Sequence, residues 1–293
     1  AGIKTDIFIY AKFDPSRIDE ASKYNLTLNI SSFDDLKALK AYVGNTIKVH
    51  LKIDTGMTRL GVPFEEAEAF LQEANQIDTI ELEGLYSHFS TADEGDLSYA
   101  NSQLSKFSDI VEISKKLDIP FDFVHCSNSG AILNVKDSRF NMVRTGMLLY
   151  GAFPSDEVPQ EIPIKPVMTF TAPIVEIRDV KAGTQISYGG VYKTKSDTRI
   201  AVVQAGFADG VPRPWYIDGF VKFQNRDFKI TGRICMDQLM IDIGSVDLNL
   251  GDEVLIFGAN EHGSIDINHI AKKIDSTSYV LVTALGIRPK RIY

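Results

Sequence analysis

The sequence uses cysteine sparingly, since Cys126 and Cys235 are the two cysteines among its 293 residues. Two cysteines cannot form a disulfide framework, and they exclude a zinc or iron–sulfur site built from several cysteines. Such a cysteine content is typical of proteins that work in a reducing compartment. We therefore expect a cytoplasmic protein.

Long apolar runs and basic runs are also missing from the sequence. No apolar stretch is long enough to span a bilayer, and no stretch near the first residue resembles a signal peptide. The 31 Lys and Arg residues are outnumbered by 39 Asp and Glu residues, which gives a formal net charge of -8. An acidic chain without a basic run is a poor candidate for binding nucleic acid or an anionic membrane.

The composition is that of an ordinary globular protein, with 44% hydrophobic and 24% charged residues. A length of 293 residues is closer to two domains than to one. The pattern of apolar residues changes near Pro163 and Pro166. We predict one domain over residues 1–160 and a second over residues 161–293.

The first half alternates short apolar runs with amphipathic, helix-like stretches. The runs are nearly continuous in apolar residues, as in parallel strands that are buried on both faces. Repeated strand–helix units of this length are typical of a β/α barrel or of a doubly wound sheet. A complete barrel needs eight strands. Six strands are predicted here, over residues 7–10, 26–30, 49–53, 82–86, 121–125 and 142–150.

The second half has alternating apolar and polar residues, separated by turns rich in Gly and Asp. This pattern predicts a mainly antiparallel β domain with one helix near 266–275. The predicted strands cover residues 168–177, 198–204, 219–223, 228–234 and 253–257.

Reactive side chains gather where the predicted parallel strands end, which is where the site of a β/α barrel lies. His88, His125 and Arg144 end three neighbouring predicted strands. A lone histidine usually has a structural role, but two histidines with an arginine are harder to explain in that way. No carboxylate accompanies the histidines at ligand spacing, so we do not expect a metal site. Lys52 lies within a predicted strand, where a buried amine needs a partner or a shifted pKa.

A phosphate cradle is predicted from Ser129 and Gly146. Ser129 begins a predicted helix and offers a hydroxyl near free backbone N–H groups, while Gly146 lets the backbone approach an anion closely. Each residue alone is more often a helix cap or a tight turn. Their positions at adjacent strand ends favour the cradle.

Seven runs of the sequence resemble motifs of the alanine racemase family, in the same order and over essentially the whole chain. These runs are HLKIDTGMTRLG (50–61), GLYSHFSTADE (84–94), HCSNSGA (125–131), NMVRTGMLLYG (141–151), ISYGGVY (186–192), AGFADGVPR (205–213) and GRICMDQ (232–238).

The resemblance implies a (β/α)8-type barrel, six of whose strands are in this sequence, followed by a mainly antiparallel β domain. It also implies a homodimer with shared active sites and pyridoxal phosphate (PLP) as cofactor. Arg144 would meet the pyridine nitrogen and His125 would orient Arg144. The phosphate would be held by Ser129, Gly146, Met147 and Tyr279.

The same resemblance assigns the remaining site residues. Arg59 would meet the PLP phenolic oxygen and the substrate carboxylate, and a carbamylated Lys52 would position Arg59. Tyr188 of the partner would be one of two opposed bases, helped by His88. The substrate pocket would include Met236 and Asp237 of the partner, and the access corridor Asp93, Phe207 and Arg213.

The other base of the family is the lysine that forms the Schiff base with PLP, in a motif of the type Val-Val-Lys-Ala-Asn-Ala-Tyr-Gly. This motif does not occur in the 293 residues. The resemblance implies that two βα units precede the first strand seen here, in agreement with the count of six strands. We therefore expect the 293 residues alone to be inactive, and the protein that includes the lysine to be active.

Three alternatives to a D-alanine-forming racemase stay open. A serine or broad-specificity racemase is disfavoured by Tyr279, because family members that prefer serine tend to change this tyrosine. A PLP-binding protein without turnover would not need Tyr188 and His88. Both this PLP-binding protein and an inert fragment are supported only by the missing lysine. Phe207 departs from the family, which more often has a tyrosine there.

Overall fold

The structure is a computed structural model that describes residues 2–293 of the chain. The chain forms two compact units. The first unit runs to Gly146 and includes Glu157–Pro159, and the second comprises Met147–Asp156 and Gln160–Tyr293.

A parallel sheet is the centre of the first unit. Its main strands are arranged in the order β1-β2-β3-β5-β6, and the short strand β4 pairs with β3. Every one of these pairings is parallel. The strands are β1 (Ile7–Ile9), β2 (Leu26–Ile30), β3 (Ile47–Asp54), β4 (Val62–Pro63), β5 (Ile80–Tyr86) and β6 (Phe123–His125).

Helices connect these strands and cover the sheet. Ser32 accepts a hydrogen bond from the backbone N–H of Asp35, and Asn128 does the same for Ala131, so that each caps a helix start. The helices bury Leu36, Leu39 and Phe70 in the core of this unit. The helices are α1 (Ile18–Lys23), α2 (Phe33–Ala41), α3 (Ala67–Ala74), α4 (Ser98–Lys116) and α5 (Ser129–Asn134).

The second unit is built on antiparallel strands, as the alternating pattern predicted. Seven strands form one sheet in the order β12-β11-β14-β7-β10-β13, with β15 on β14, and β8 pairs with β9. Its elements are β7 (Phe170–Val180), β8 (Gln185–Ile186), β9 (Tyr192–Lys193), β10 (Thr198–Val203), β11 (Phe220–Phe223), β12 (Arg226–Lys229), β13 (Leu239–Asp242), β14 (Glu253–Asn260), β15 (Gly263–Ile265), α6 (Ile267–Lys273) and α7 (Ser278–Ala284).

The strand predicted over 142–150 is wrong. The first unit has six strands within the described residues, but the sixth is β4. Arg144 donates one backbone hydrogen bond to Ser127 O, and the backbone N–H of Gly146 turns to the hydroxyl of Ser129 instead of a strand. Residues 147–150 then form a short 3-10 helix. The apolar run is therefore a segment that follows β6 without a hydrogen-bonded ladder.

The second half contains elements that the sequence pattern did not predict. These are the short strands β8, β9, β13 and β15 and the helix α7. The strand predicted over 228–234 ends at Lys229, because Ile230 makes only an isolated bridge to Ile241. No helix of residues 2–293 has the length and apolar content needed to cross a membrane.

Candidate active site

Lys52 lies buried near the carboxyl end of β3, and its amine is 5.3 Å from the centre of the Tyr86 ring. Burial, together with the positive charges of Arg59 and Arg144, lowers the pKa of Lys52 to about 8. About a tenth of the amine is therefore neutral at pH 7, and a neutral amine is a nucleophile.

The loop after β3 carries Arg59, and Asp54 shapes this loop. One carboxylate oxygen of Asp54 accepts hydrogen bonds from the backbone N–H groups of Gly56 at 2.9 Å and Thr58 at 3.1 Å. Gly61 returns the chain against β3 with a φ of +121°, where a Cβ would meet the backbone nitrogen of Asp54 at 2.7 Å. Glycine is required there, because the position combines a positive φ with a close backbone contact.

Four hydrogen-bond acceptors hold the guanidinium group of Arg144. Its Nη1 donates to Nδ1 of His125 at 2.5 Å, and its Nη2 donates to Nδ1 of His88 at 3.0 Å. The same Nη2 also donates to the backbone oxygens of Ser87 at 2.8 Å and Cys126 at 3.2 Å. These contacts fix the plane of the guanidinium group.

These contacts also assign the protons of both histidines. Arginine has only donors, so Nδ1 of His125 and of His88 must each accept, and each neutral ring carries its proton on Nε2. Burial and the charge of Arg144 lower the pKa of His125 to about 2 and that of His88 to about 3. Both rings are therefore neutral at physiological pH.

Two further residues continue this network, and the sequence analysis did not single them out. His125 Nε2 lies 2.8 Å from Nδ1 of His50, and His50 Nε2 lies 3.3 Å from a carboxylate oxygen of Glu83. A signal for His50 exists in the sequence, because it precedes Lys52 by two residues and side chains two apart on a strand share a face.

The predicted cradle residues are brought together. Ser129 is buried at the start of α5, and its hydroxyl accepts a hydrogen bond from the backbone N–H of Gly146 at 2.9 Å. Next to it, Gly130 allows the backbone of Asp93 to approach, because a Cβ at Gly130 would lie 2.8 Å from the nitrogen of Asp93. Burial raises the pKa of Asp93.

In the second unit, three loops pack on one another and carry most of the remaining predicted residues. Ser187 donates from its hydroxyl to the backbone oxygen of Arg233 at 2.6 Å. The backbone N–H groups of Phe207 and Ala208 donate to the oxygens of Cys235 and Met236 at 3.0 and 2.8 Å.

On this loop cluster, formed by residues 186–192, 205–213 and 232–238, several large side chains face solvent. Tyr188 is 67% exposed, Met236 59% and Phe207 42%. Asp237 and Arg213 are exposed as well. Met147 is buried in the 3-10 helix Met147–Tyr150, and Tyr279 is an exposed residue of α7.

Comparisons with known proteins identify the family of the chain. The family model described as alanine racemase, N-terminal domain, matches residues 1–154, and the model of the C-terminal domain matches residues 167–293. The chain belongs to the alanine racemase family. The predicted resemblance is thereby confirmed, and the chain is an enzyme of this family.

Individual alanine racemases align with the whole chain. The chain is 38% identical to the enzyme of Halothermothrix orenii and 36% identical to that of Desulforamulus reducens, over 78% and 80% of their lengths. Among solved structures, alanine racemase from Clostridium difficile 630 superimposes with a TM-score of 0.89 at 32% identity, covering 98% of this chain and 76% of that one. The enzyme from E. faecalis gives 0.90 at 29% identity, covering 97% and 77%.

Proposed function

We propose that the protein interconverts L-alanine and D-alanine with PLP as its cofactor. The observation that carries this proposal is the guanidinium of Arg144 held between two neutral histidines. Arginine keeps its proton at any ordinary pH, so Arg144 can donate a hydrogen bond to an aromatic nitrogen without protonating it.

The charges of the first unit fit a cofactor and a substrate that are both anionic. The charges that lower the pKa of His88 are those of Arg144, Arg59 and Lys52, and all three are positive. Phosphate, phenolate and carboxylate groups would each be stabilised in such a cluster. The hydroxyl of Ser129 accepts from the backbone N–H of Gly146 and keeps its own proton, which it can donate to a phosphate oxygen.

PLP, when bound, withdraws electrons from the substrate and makes its Cα proton acidic. The residues of this chain would hold that system in place. Arg144 would face the pyridine nitrogen, and His125 orients Arg144 by accepting a hydrogen bond from its Nη1. Arg59 would bind the phenolic oxygen and the substrate carboxylate.

Racemisation requires a proton to be removed from one face of Cα and returned to the other. We propose Tyr188 as the base on one face, and the family lysine, which is not among these residues, as the base on the other. His88 carries its proton on Nε2 and would donate a hydrogen bond to the phenolate of Tyr188 of the partner subunit, which would lower the cost of ionising this tyrosine. The 293 residues alone are therefore proposed to be inactive.

Lys52 is proposed to be carbamylated. A carbamate forms when a neutral amine attacks carbon dioxide and releases one proton to solvent, and the lowered pKa of Lys52 supplies that amine. The product is an anion beside Arg59, which would orient its guanidinium and remove one of three clustered positive charges.

We propose a homodimer in which Tyr188, Met236 and Asp237 reach the active site of the partner subunit. The exposure of Tyr188 and Met236 on the loop cluster supports this, because large side chains that face solvent together are typical of an interface. Met147 and Tyr279 stay predictions as phosphate ligands, and Asp93, Phe207 and Arg213 as residues of the access corridor. We further propose a cytoplasmic enzyme that supplies D-alanine for peptidoglycan.

Borohydride trapping tests the requirement for the lysine. The 293-residue chain and the protein expressed from its natural reading frame are incubated with PLP, reduced with borohydride and analysed by intact mass and peptide mapping. We expect one reduced cofactor on a lysine outside these residues in the second protein, and no adduct in the first. An adduct on Lys52 would contradict the roles given to both lysines.

A further inference from the structure

A line of hydrogen bonds runs from Arg144 through His125 and His50 to Glu83, and the proposed mechanism does not use its far end. Glu83 lies on β5 and is 6% exposed. One of its oxygens accepts from Thr27 Oγ1 at 2.9 Å and lies 3.3 Å from His50 Nε2. Its other oxygen accepts from Lys48 Nζ at 2.9 Å.

Glu83 is a fixed acceptor. Burial pushes the pKa of Glu83 up, but the hydrogen bonds from Lys48 and Thr27 outweigh this effect and hold the pKa below its ordinary value. An ionised carboxylate accepts hydrogen bonds and donates none.

The two ends of the line leave a single arrangement of protons between them. Arg144 can only donate at one end and Glu83 can only accept at the other. Because Arg144 donates to Nδ1 of His125, Nε2 of His125 carries the proton and donates to Nδ1 of His50. His50 then carries its own proton on Nε2 and donates to Glu83. Every donor in the line points from Arg144 towards Glu83.

The reverse arrangement is excluded at both ends of the line. An unprotonated Nε2 of His50 would face the ionised carboxylate of Glu83, so that two acceptors would meet with no proton between them. If His50 donated from Nδ1 to His125, then Nδ1 of His125 would carry a proton that faces an N–H of Arg144. Two donors facing each other inside the protein would displace the guanidinium.

The rings themselves are held in this orientation. Tyr86 stacks on His125 with centroids 4.9 Å apart and an interplanar angle of 15°. Phe8 packs on His50 at 4.3 Å. Burial lowers the pKa of His50 to about 4, so that this ring is neutral as well.

We propose that Glu83 is a positioning residue. It sets the direction of the hydrogen bonds through His50 and His125 and so keeps Arg144 in place as a donor towards the cofactor. This inference deepens the proposed function, because the contact of Arg144 with the pyridine nitrogen is itself a proposal. In the catalytic triads of hydrolases, a carboxylate fixes the tautomer of a histidine in the same way.

The test is ¹⁵N NMR of histidine side chains in the protein expressed from its natural reading frame, without and with PLP. The 293 residues contain five histidines, so selective labelling gives a simple spectrum. We expect His50 and His125 each to carry one proton, on Nε2, in the wild type. A proton on Nδ1 of His125 in the wild type would overturn the proposal without any variant.

Two substitutions at Glu83 separate positioning from packing. Glu83→Met removes the acceptor at similar length, and we expect mixed tautomers of His50 and His125 and a loss of racemisation of roughly 10- to 100-fold. Glu83→Gln keeps an oxygen for His50, and we expect it to restore the Nε2–H tautomers and most of the activity. Glu81→Met, an exposed site on the same strand, is the matched control and should change neither readout.

The outcomes are distinct from a failure of the proposed function. Wild-type tautomers in a folded Glu83→Met protein would overturn the role of Glu83, whatever its activity. Equal losses of activity in Glu83→Met and Glu83→Gln with unchanged tautomers would also overturn it. Nε2–H tautomers of His50 and His125 in a wild-type protein that neither binds PLP nor racemises alanine would support the role of Glu83 and contradict the proposed function.

Discussion

At the scale of single residues, the site of the first unit is a cluster of cations around neutral histidines. The sequence predicted His88, His125 and Arg144 as residues at the ends of neighbouring parallel strands. This is correct for His88, which lies just after β5, and for His125, which ends β6, whereas Arg144 lies in the segment after β6 that is not a strand. The structure adds the direction of each hydrogen bond, which follows from arginine having donors only. An arginine held in this way is consistent with chemistry in which the ring nitrogen of a bound cofactor stays unprotonated.

Carbamylation of Lys52 can be tested directly at this scale. With ¹³C-labelled bicarbonate, we expect a carbamate signal that grows as the pH rises through about 8, because the neutral amine appears as the lowered pKa of Lys52 is passed. Lys52→Arg should abolish the signal, and Lys48→Arg, on the same strand, should keep it. A signal that survives in Lys52→Arg would contradict the assignment.

His50 and Glu83 show what the sequence could not predict at the residue scale. Both lie inside the sheet and not at a strand end, so the rule that locates barrel sites does not find them. Their pairing depends on the register between β3 and β5, where His50 lies opposite Gly84 after an irregularity. A register of this kind is not visible in a single sequence.

At the scale of elements, the positions of the long strands were predictable, whereas the strands of two residues were not. The prediction for β2 was correct at both ends, because an apolar run bounded by polar residues defines it. The strands β8 and β9 have two residues each, which leaves no periodicity to detect. The 142–150 run shows the opposite error, in that apolar content alone does not make a strand when its backbone groups bond to side chains.

The loop cluster of the second unit depends on close backbone approach at Gly232. This residue has a φ of +78°, and a Cβ there would lie 2.6 Å from the backbone oxygen of Ile186 and 2.8 Å from Cβ of Ser187. Gly232→Ala should push away the loop that carries Tyr188 and lower racemisation at least tenfold, since small misplacements of catalytic groups are costly.

The control for this prediction is Gly286→Ala, because a Cβ at Gly286 meets nothing within 4 Å. It should racemise at the wild-type rate. The measurement is the rate of D-alanine formation, with circular dichroism to verify folding. Equal rates in Gly232→Ala and in the control would show that the loop contact does not matter for activity.

At the scale of the whole molecule, the buried neutral histidines predict sensitivity to acid. His50 and His125 have pKa values of about 4 and about 2 in the folded protein, against about 6.5 for an unperturbed histidine. Their contribution to stability is complete above pH ~6.5 and is lost as the pH falls towards those values, because the unfolded chain then binds more protons.

The expected slope is about 1.4 kcal/mol of unfolding free energy per pH unit for each such histidine. Urea titrations between pH 4.5 and 6.5 measure it. The variant His50→Gln should have a slope that is smaller by about 1.4 kcal/mol per pH unit, the contribution of one proton. An equal slope in His50→Gln and the wild type would contradict neutral burial of His50.

The division into a parallel α/β half and an antiparallel half was predictable for the whole chain, because continuous and alternating apolar runs differ clearly. The residue patterns left a barrel and a doubly wound sheet as alternatives. The resemblance carried by the seven motifs favoured the barrel. The proposed contributions of a partner subunit could not come from strand patterns, since Tyr188 and Met236 lie on loops whose proposed role depends on a second copy of the chain.

The measurement that tests the central claim most directly is racemisation by Tyr188→Phe in the protein expressed from its natural reading frame. With PLP present, D-alanine formed from L-alanine and bound cofactor are measured for the wild type, for Tyr188→Phe and for the exposed control Tyr24→Phe. The account predicts that Tyr188→Phe keeps PLP but loses roughly 100-fold or more of the activity, while Tyr24→Phe loses none. Undiminished racemisation in Tyr188→Phe would contradict it.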